Sequence, residues 1–285
     1  YNIVMSEITF KRKFYDEMLE WKMNSNGKSA LMIDGARRVG KSTIAEEFAK
    51  NEYDDYLLID FVNASKDIKD NFDNLGNMDV FFRNLFLFAG KGLKSSNSVI
   101  IFDEVQFCPK ARQSIKHLVA DNRYDYIETG SLISVRSKSK NIIIPSEETK
   151  VDMFPMDYEE FRWALGDTAT IPLLRGAFEK KISLGDATHR KLMRDFRLYM
   201  LVGGMPQAVA AYIKTNNFTA VDLAKRDIIA LYEEDFGKID DSGRAKAMYD
   251  AIPAQLSRNT SRYQVGNAIP PLFAELVGLV LKEMI

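Results

Sequence analysis

Leu31-Met-Ile-Asp-Gly-Ala-Arg-Arg-Val-Gly-Lys-Ser-Thr43 is the stretch whose reading decides the fold of this 285-residue chain. An apolar run enters a turn spelled Gly35-x-x-x-x-Gly40-Lys41-Ser42 and leaves as Thr43-Ile-Ala-Glu-Glu-Phe-Ala-Lys50, with Ile44 and Phe48 at helical spacing. The spacing predicts strand, glycine-rich turn and helix, the context in which a Walker A loop cradles phosphate. The glycines let the backbone bend and aim its N–H groups at oxygens. Lys41 places a point charge near β- and γ-phosphates, and Ser42 offers a hydroxyl to Mg²⁺. The helix beginning there adds its dipole and unpaired N–H groups. The expected nucleotide-binding set is Gly35, Ala36, Arg37, Arg38, Val39, Gly40, Lys41, Ser42 and Thr43.

A second stretch completes the first. Ser98-Val-Ile-Ile-Phe-Asp103-Glu104 is an unbroken apolar run ending in two acids, the Walker B shape. Such runs mark strands of a parallel sheet covered on both faces, and ligands bind beyond their carboxyl ends. Asp103 is expected to hold the metal with Ser42, and Glu104 to orient or deprotonate the attacking water. Tyr124-Asp-Tyr-Ile-Glu-Thr-Gly-Ser131 reads as another strand. Thr129 at its end would meet the γ-phosphate or the water, although an ordinary Gly-Ser turn accounts for the same residues equally well.

Around these motifs, further strands are expected at Tyr56–Phe61 and Lys150–Phe154, and helices at 8–23, 80–88 and 113–118. The Phe-rich helix 80–88 is read as core. Residues 135–140 and 145–149 read as a basic, Ser-rich, turn-rich loop. Pro155, Glu159 and Glu160 favour a helix start. Beyond Leu165 the strand signals stop and helices follow near 189–201, 208–213, 221–232 and 245–256, with Gly203-Gly204-Met205-Pro206 as a corner. The fold class is therefore α/β, a P-loop parallel-sheet core followed by an all-helical region. We divide it as residues 1–165 for the core with its N-terminal helix, 166–215 for a helical lid and 216–285 for a C-terminal segment.

Composition narrows the rest. Hydrophobic content of 46% and charged content of 28% suit a globular protein, and a net charge of −1 gives no general pull towards nucleic acid. One cysteine, Cys108, excludes an internal disulfide framework and fits a reducing compartment. No apolar run reaches spanning length and no signal-peptide core is evident, so a cytoplasmic location is expected. The chain opens at Tyr1 and stops at Ile285 inside an apolar helical pattern, so a piece of a longer protein is expected.

Gly35-Ala-Arg-Arg-Val-Gly-Lys-Ser42, Phe102-Asp-Glu-Val-Gln106, Thr129-Gly-Ser131, Pro155-x-x-x-x-Glu160-Phe161 and Gly203-Gly-x-Pro206 occur in this order. The series resembles prokaryotic AAA-superfamily ATPases with a C-terminal region of uncharacterised function, over most of the chain. The resemblance implies a P-loop core with a helical lid, ATP and Mg²⁺ as ligands, and Gly204 and Pro206 beside the adenine. Ile252-Pro-Ala-Gln-Leu256 resembles the start of a winged helix, and members continue into nuclease-like folds, but the tail follows too soon for both. The Gly-Arg motif usual before the last core strand is Pro145-Ser-Glu-Glu-Thr-Lys150 here, which weakens transfer of an arginine role, with Arg123 and Arg136 as the candidate fingers. The expected activity is ATP hydrolysis coupled to the C-terminal segment. The alternative is a nucleotide-gated switch contacting protein or DNA, with a homo-oligomer compatible with either. No base-reading Asn-Lys-x-Asp is present, which favours ATP over GTP.

Overall fold

The computed structural model describes residues 8–93, 97–131, 146–239 and 242–255. Arg136, the loop around it, and everything from Leu256 on lie outside the described residues, and so does most of the winged-helix expectation. The chain divides into two compact units: Phe14–Met153, and a second formed by the residues before Phe14 together with those from Phe154 on.

The first unit follows the apolar runs. Strands β1 (Ala30–Gly35), β2 (Asp55–Asp60), β3 (Ser98–Asp103), β4 (Asp125–Ser131) and β5 (Glu148–Met153) form one sheet in the order β2-β3-β4-β1-β5. Every pairing is parallel. All six residues of β1 are buried, as a strand covered on both faces requires. Helices α1 (Phe14–Ser25) and α2 (Lys41–Glu52) bury Phe14, Met18, Trp21, Ile44 and Phe48. Helices α3 (Lys66–Asn71), α4 (Met78–Ala89) and α5 (Pro109–Asp121) enclose the larger core, where Phe61, Phe72, Phe81 and Phe102 meet edge-on or tilted and Phe102 stacks with Tyr126. That geometry is the one aromatic quadrupoles favour. Cys108 is buried in this core, and burial pushes its thiol up from the ordinary range.

The first helix starts at Phe14 rather than Ile8, because Arg12 and Lys13 are engaged elsewhere. In the second unit, helix α6 (Tyr158–Ala164) opens with a reciprocal capping box between Asp157 and Glu160. Glu160 also accepts from Arg12 Nε at 3.2 Å and from the Lys13 backbone N–H at 2.7 Å. Phe161 is fully buried with Val202, Ala208, Val209 and Val221. Glu160-Phe161 is thus an anchor of this unit, and the break between units falls after Met153 rather than at Leu165. Helices α7 (Thr170–Glu179), α8 (Gly185–Val202), α9 (Pro206–Thr215), α10 (Phe218–Ile239) and α11 (Arg244–Gln255) complete it.

One face of the sheet carries charge. Parallel register sets Met32 opposite both Glu128 and Lys150, and Ala30 opposite Glu148, so Asp34, Glu128, Glu148 and Lys150 share that face. Arg112 of α5 grips Glu148 through two bonds of 2.9 and 2.7 Å. Glu128 is fully buried, and among the described residues neither of its oxygens meets a donor. Burial first, and then the neighbouring Glu148 charge, push the Glu128 carboxyl well above the usual carboxylate range. Burial thus favours its neutral form.

This fixes a pH dependence. The folded state keeps a proton that the unfolded chain releases above pH ~4.3, so stability falls with rising pH by up to about 1.4 kcal/mol per unit until Glu128 itself titrates. Glu128→Gln keeps a donor and cannot titrate. Its stability relative to wild type in denaturant titrations should grow from pH 4 upward, whereas a pH-independent difference would contradict a neutral Glu128.

Candidate functional site: the nucleotide pocket

Strand order brings the motifs together. β4 lies between β1 and β3, so the ends of all three meet at one edge of the sheet. Gly35 has φ 150°, and a Cβ there would come within 2.2 Å of the Met153 carbonyl oxygen of β5. Only glycine permits that approach. Its N–H donates to Asp34 Oδ1 at 2.8 Å, and the other Asp34 oxygen lies 2.5 Å from Lys150 Nζ. The loop is thus pinned at its first residue by a buried carboxylate that is itself paired, an arrangement that motif spacing did not reveal.

Between the glycines, Ala36 and Val39 turn their side chains into the core, Arg37 is half-buried and Arg38 is exposed at φ 68°. These positions offer a ligand chiefly backbone. Gly40 adopts φ 102° and begins α2 with no side chain capping its first amides. The start of a helix is where an anion finds backbone donors. Lys41 is buried and donates to the carbonyls of Gly35 and Ala36, both at 2.9 Å, so its charge lies inside the loop. Thr43 is exposed.

The remaining residues converge on one oxygen. Asp103 Oδ1 accepts the Ser42 hydroxyl at 2.6 Å and the Thr129 hydroxyl at 2.6 Å. Thr129 Oγ1 in turn accepts the Glu104 backbone N–H at 3.1 Å. Thr129 is fully buried and belongs to β4, so a loose Gly-Ser turn no longer describes it. Glu104 has φ 54° and ψ 50°, the left-handed region, a strain of about 1–3 kcal/mol for a residue with a side chain. Its carboxylate accepts from the Gln106 amide, a partner that the sequence reading quoted but gave no role.

Ser42 and Asp103 are hard oxygen donors in mutual reach. That pair fits Mg²⁺, which takes one or two protein ligands and completes its shell with phosphate and water. Among the described residues there is no group of three or more His, Cys, Asp or Glu side chains arranged to hold a metal unaided.

A family model described as an AAA domain matches residues 27–162, the span that holds this whole constellation. Residues 27–162 are thus similar to AAA domains, and the parallel sheet behind the Gly35–Ser42 loop is of the P-loop NTPase type. A second model, a domain of unknown function, matches residues 193–270. Among solved structures, a Walker-type ATPase of Pyrococcus abyssi aligns over 98% of this chain and 91% of its own, at 17% identity and TM-score 0.50. A signal-transduction ATPase with a tetratricopeptide repeat sensor from Pyrococcus horikoshii aligns over 81% and 34%, at 16% identity and TM-score 0.41. The RuvB branch-migration motor of Thermotoga maritima aligns over 96% and 85%, at 13% identity and TM-score 0.39. No match is found among curated proteins.

The other expected residues have local partners of their own. Arg123 is paired with Asp79 at 2.5 Å and Asp121 at 2.8 Å and covers the Phe82 ring. Gly204 and Pro206 belong to the second unit. A Cβ on Gly204 would come within 2.1 Å of the Met156 oxygen, and its carbonyl accepts the Met156 N–H at 2.8 Å. Pro206 starts α9, where its missing N–H costs nothing. The Gly-Gly-x-Pro corner therefore has a local packing reason of its own. Among the described residues, no helix is long and apolar enough to cross a membrane.

The loop geometry gives a direct test. Gly35→Ala should lose at least about 2 kcal/mol of stability, because the new Cβ meets backbone in a φ region it disfavours. Lys150→Met should also destabilise, by about 1–3 kcal/mol, since it removes a partner of the buried Asp34 carboxylate. Thermal melts of both variants check this; a wild-type melting temperature for Gly35→Ala would show that β5 does not clamp the loop.

Proposed function

We propose that this protein binds ATP with Mg²⁺ and hydrolyses it to ADP and phosphate, and that the cycle changes the conformation of its C-terminal region. The convergence of the Ser42 and Thr129 hydroxyls on Asp103 Oδ1, one residue before Glu104, carries the reading. It supports one centre that binds phosphate and also has an acid placed for water.

The loop amides from Gly35 to Thr43 and the start of α2 would hold the phosphates. Lys41 would exchange its two loop carbonyls for β- and γ-phosphate oxygens and offset charge as it spreads to the leaving group. Ser42 and Asp103 would hold Mg²⁺, which supplies further charge neutralisation across the β- and γ-phosphates when bound. Glu104 would orient a water in line with the bond between the γ-phosphorus and the β,γ-bridging oxygen, and take its proton as the new P–O bond forms and ADP leaves. Thr129 would keep Asp103 aimed. Gly204 and Pro206 beside the adenine, a lid over 166–215 and an output segment over 216–285 are proposed from the family resemblance. The output segment would contact protein or DNA, in a cytoplasmic protein able to self-associate.

Lys41→Ala should weaken ATP binding at least 10-fold, while Glu104→Gln should keep binding and lose about 10²-fold or more in Mg-dependent turnover. Binding by fluorescent-nucleotide titration and phosphate release measure the two separately. If turnover of Glu104→Gln equals wild type, Glu104 is not the base and the nucleotide-gated switch becomes the better reading.

A further inference from the structure

We propose that Gln106 is the positioning residue for Glu104, fixing the carboxylate from two residues downstream; this rests on the reading of Glu104 as the base. An ionised carboxylate only accepts hydrogen bonds, so Gln106 must present its Nε2 end to Glu104 Oε2, as it does. The bond to a charged acceptor is of the stronger kind. That orientation leaves Gln106 Oε1 buried without a hydrogen-bond partner among the described residues. The opposite amide orientation would face that oxygen to the carboxylate, so the tether explains why the buried Oε1 is left unpaired.

A second feature of the same turn points the same way. Glu104 holds a left-handed backbone, from which the chain enters a single 3₁₀ turn, Val105–Phe107. The Phe107 N–H closes it on the Glu104 carbonyl at 3.0 Å, and Val105 is buried in the core. The turn doubles the chain back so that residue 106 can reach the side chain of residue 104. Two locally unfavourable choices, a strained glutamate and a half-satisfied buried amide, thus occur within three residues. Both are accounted for if the carboxylate must be held in one place, since departures from local preference concentrate at functional sites. At the other end, the Glu104 N–H is fixed by Thr129. Backbone and carboxylate of the base are therefore held independently, one from β4 and one from the 3₁₀ turn.

The distinguishing measurement is a cycle of steady-state ATP hydrolysis on the full chain. Gln106→Met keeps length and apolar packing but cannot donate. It should lower kcat by about 10- to 100-fold, the scale of a small misplacement of a catalytic group. KM for ATP, the melting temperature and fluorescent-ATP affinity should stay within about two-fold or a few degrees of wild type. Gln106→Glu, of the same shape and unable to donate while ionised, should show the same kcat loss. In a Glu104→Gln background, Gln106→Met should cost nothing further, because the tether acts only through the carboxylate. A kcat within two-fold of wild type for both folded variants overturns the proposal, as does an additional loss in the Glu104→Gln background. An unimpaired Glu104→Gln, or a wild type without turnover, removes the hydrolytic reading itself and the tether's purpose with it. A Gln106 null effect beside a crippled Glu104→Gln removes the tether alone.

Discussion

Asp103 Oδ1 is the point on which the nucleotide pocket depends. One oxygen receives hydroxyls from the start of α2 and from the end of β4, while Asp103 itself ends β3. Three strands must end at the right level for this, and parallel register sets those levels. Ile33 pairs with Thr129 and Phe102 with Glu128, so the residues after Phe102 and Glu128 come level. Any slip by one residue would turn Asp103 or Thr129 to the opposite face of the sheet. The apolar runs that bury both faces therefore also hold the polar constellation at their ends.

The same sheet tolerates a polar seam close to that edge, and its residues are accommodated in different ways. Asp34 is paired with Lys150 and caps the first loop amide, Glu148 is gripped by Arg112, and Glu128 gives up its charge. Breaking a buried pair costs more than the pair contributes, so such seams are stiff once formed. Stiffness here falls on β1 and β5, the two strands that meet at Gly35.

Much of this was legible in the sequence, and for a definite reason. Walker A, Walker B and the Thr129 strand end are contiguous patterns, each a run of apolar residues that stops at a chemical group. What was not legible was carried by pairs far apart in the chain. Asp34 with Lys150, and Arg112 with Glu148, leave no periodic trace. Helix α7 has Ile171, Leu174 and Phe178 at helical spacing, but Pro172 and Gly176 interrupt the pattern and none of its residues is buried. Glu160-Phe161 and Gly204, quoted for a resemblance, turn out to have local structural duties in capping, anchoring and close backbone approach. Gln106 stood inside a quoted motif, yet its reach back to Glu104 requires the left-handed glutamate, which single-sequence propensities do not foresee.

The burial of Cys108 has a practical side. It is the chain's one cysteine, and its thiol is held in the core with its ionisation suppressed. Thiolate, not thiol, reacts with maleimides and similar reagents. A cysteine introduced at an exposed position such as Glu20 or Lys191 would therefore take up a fluorophore or spin label selectively, with the native residue left in place. The natural sequence is already a background suited to distance measurements.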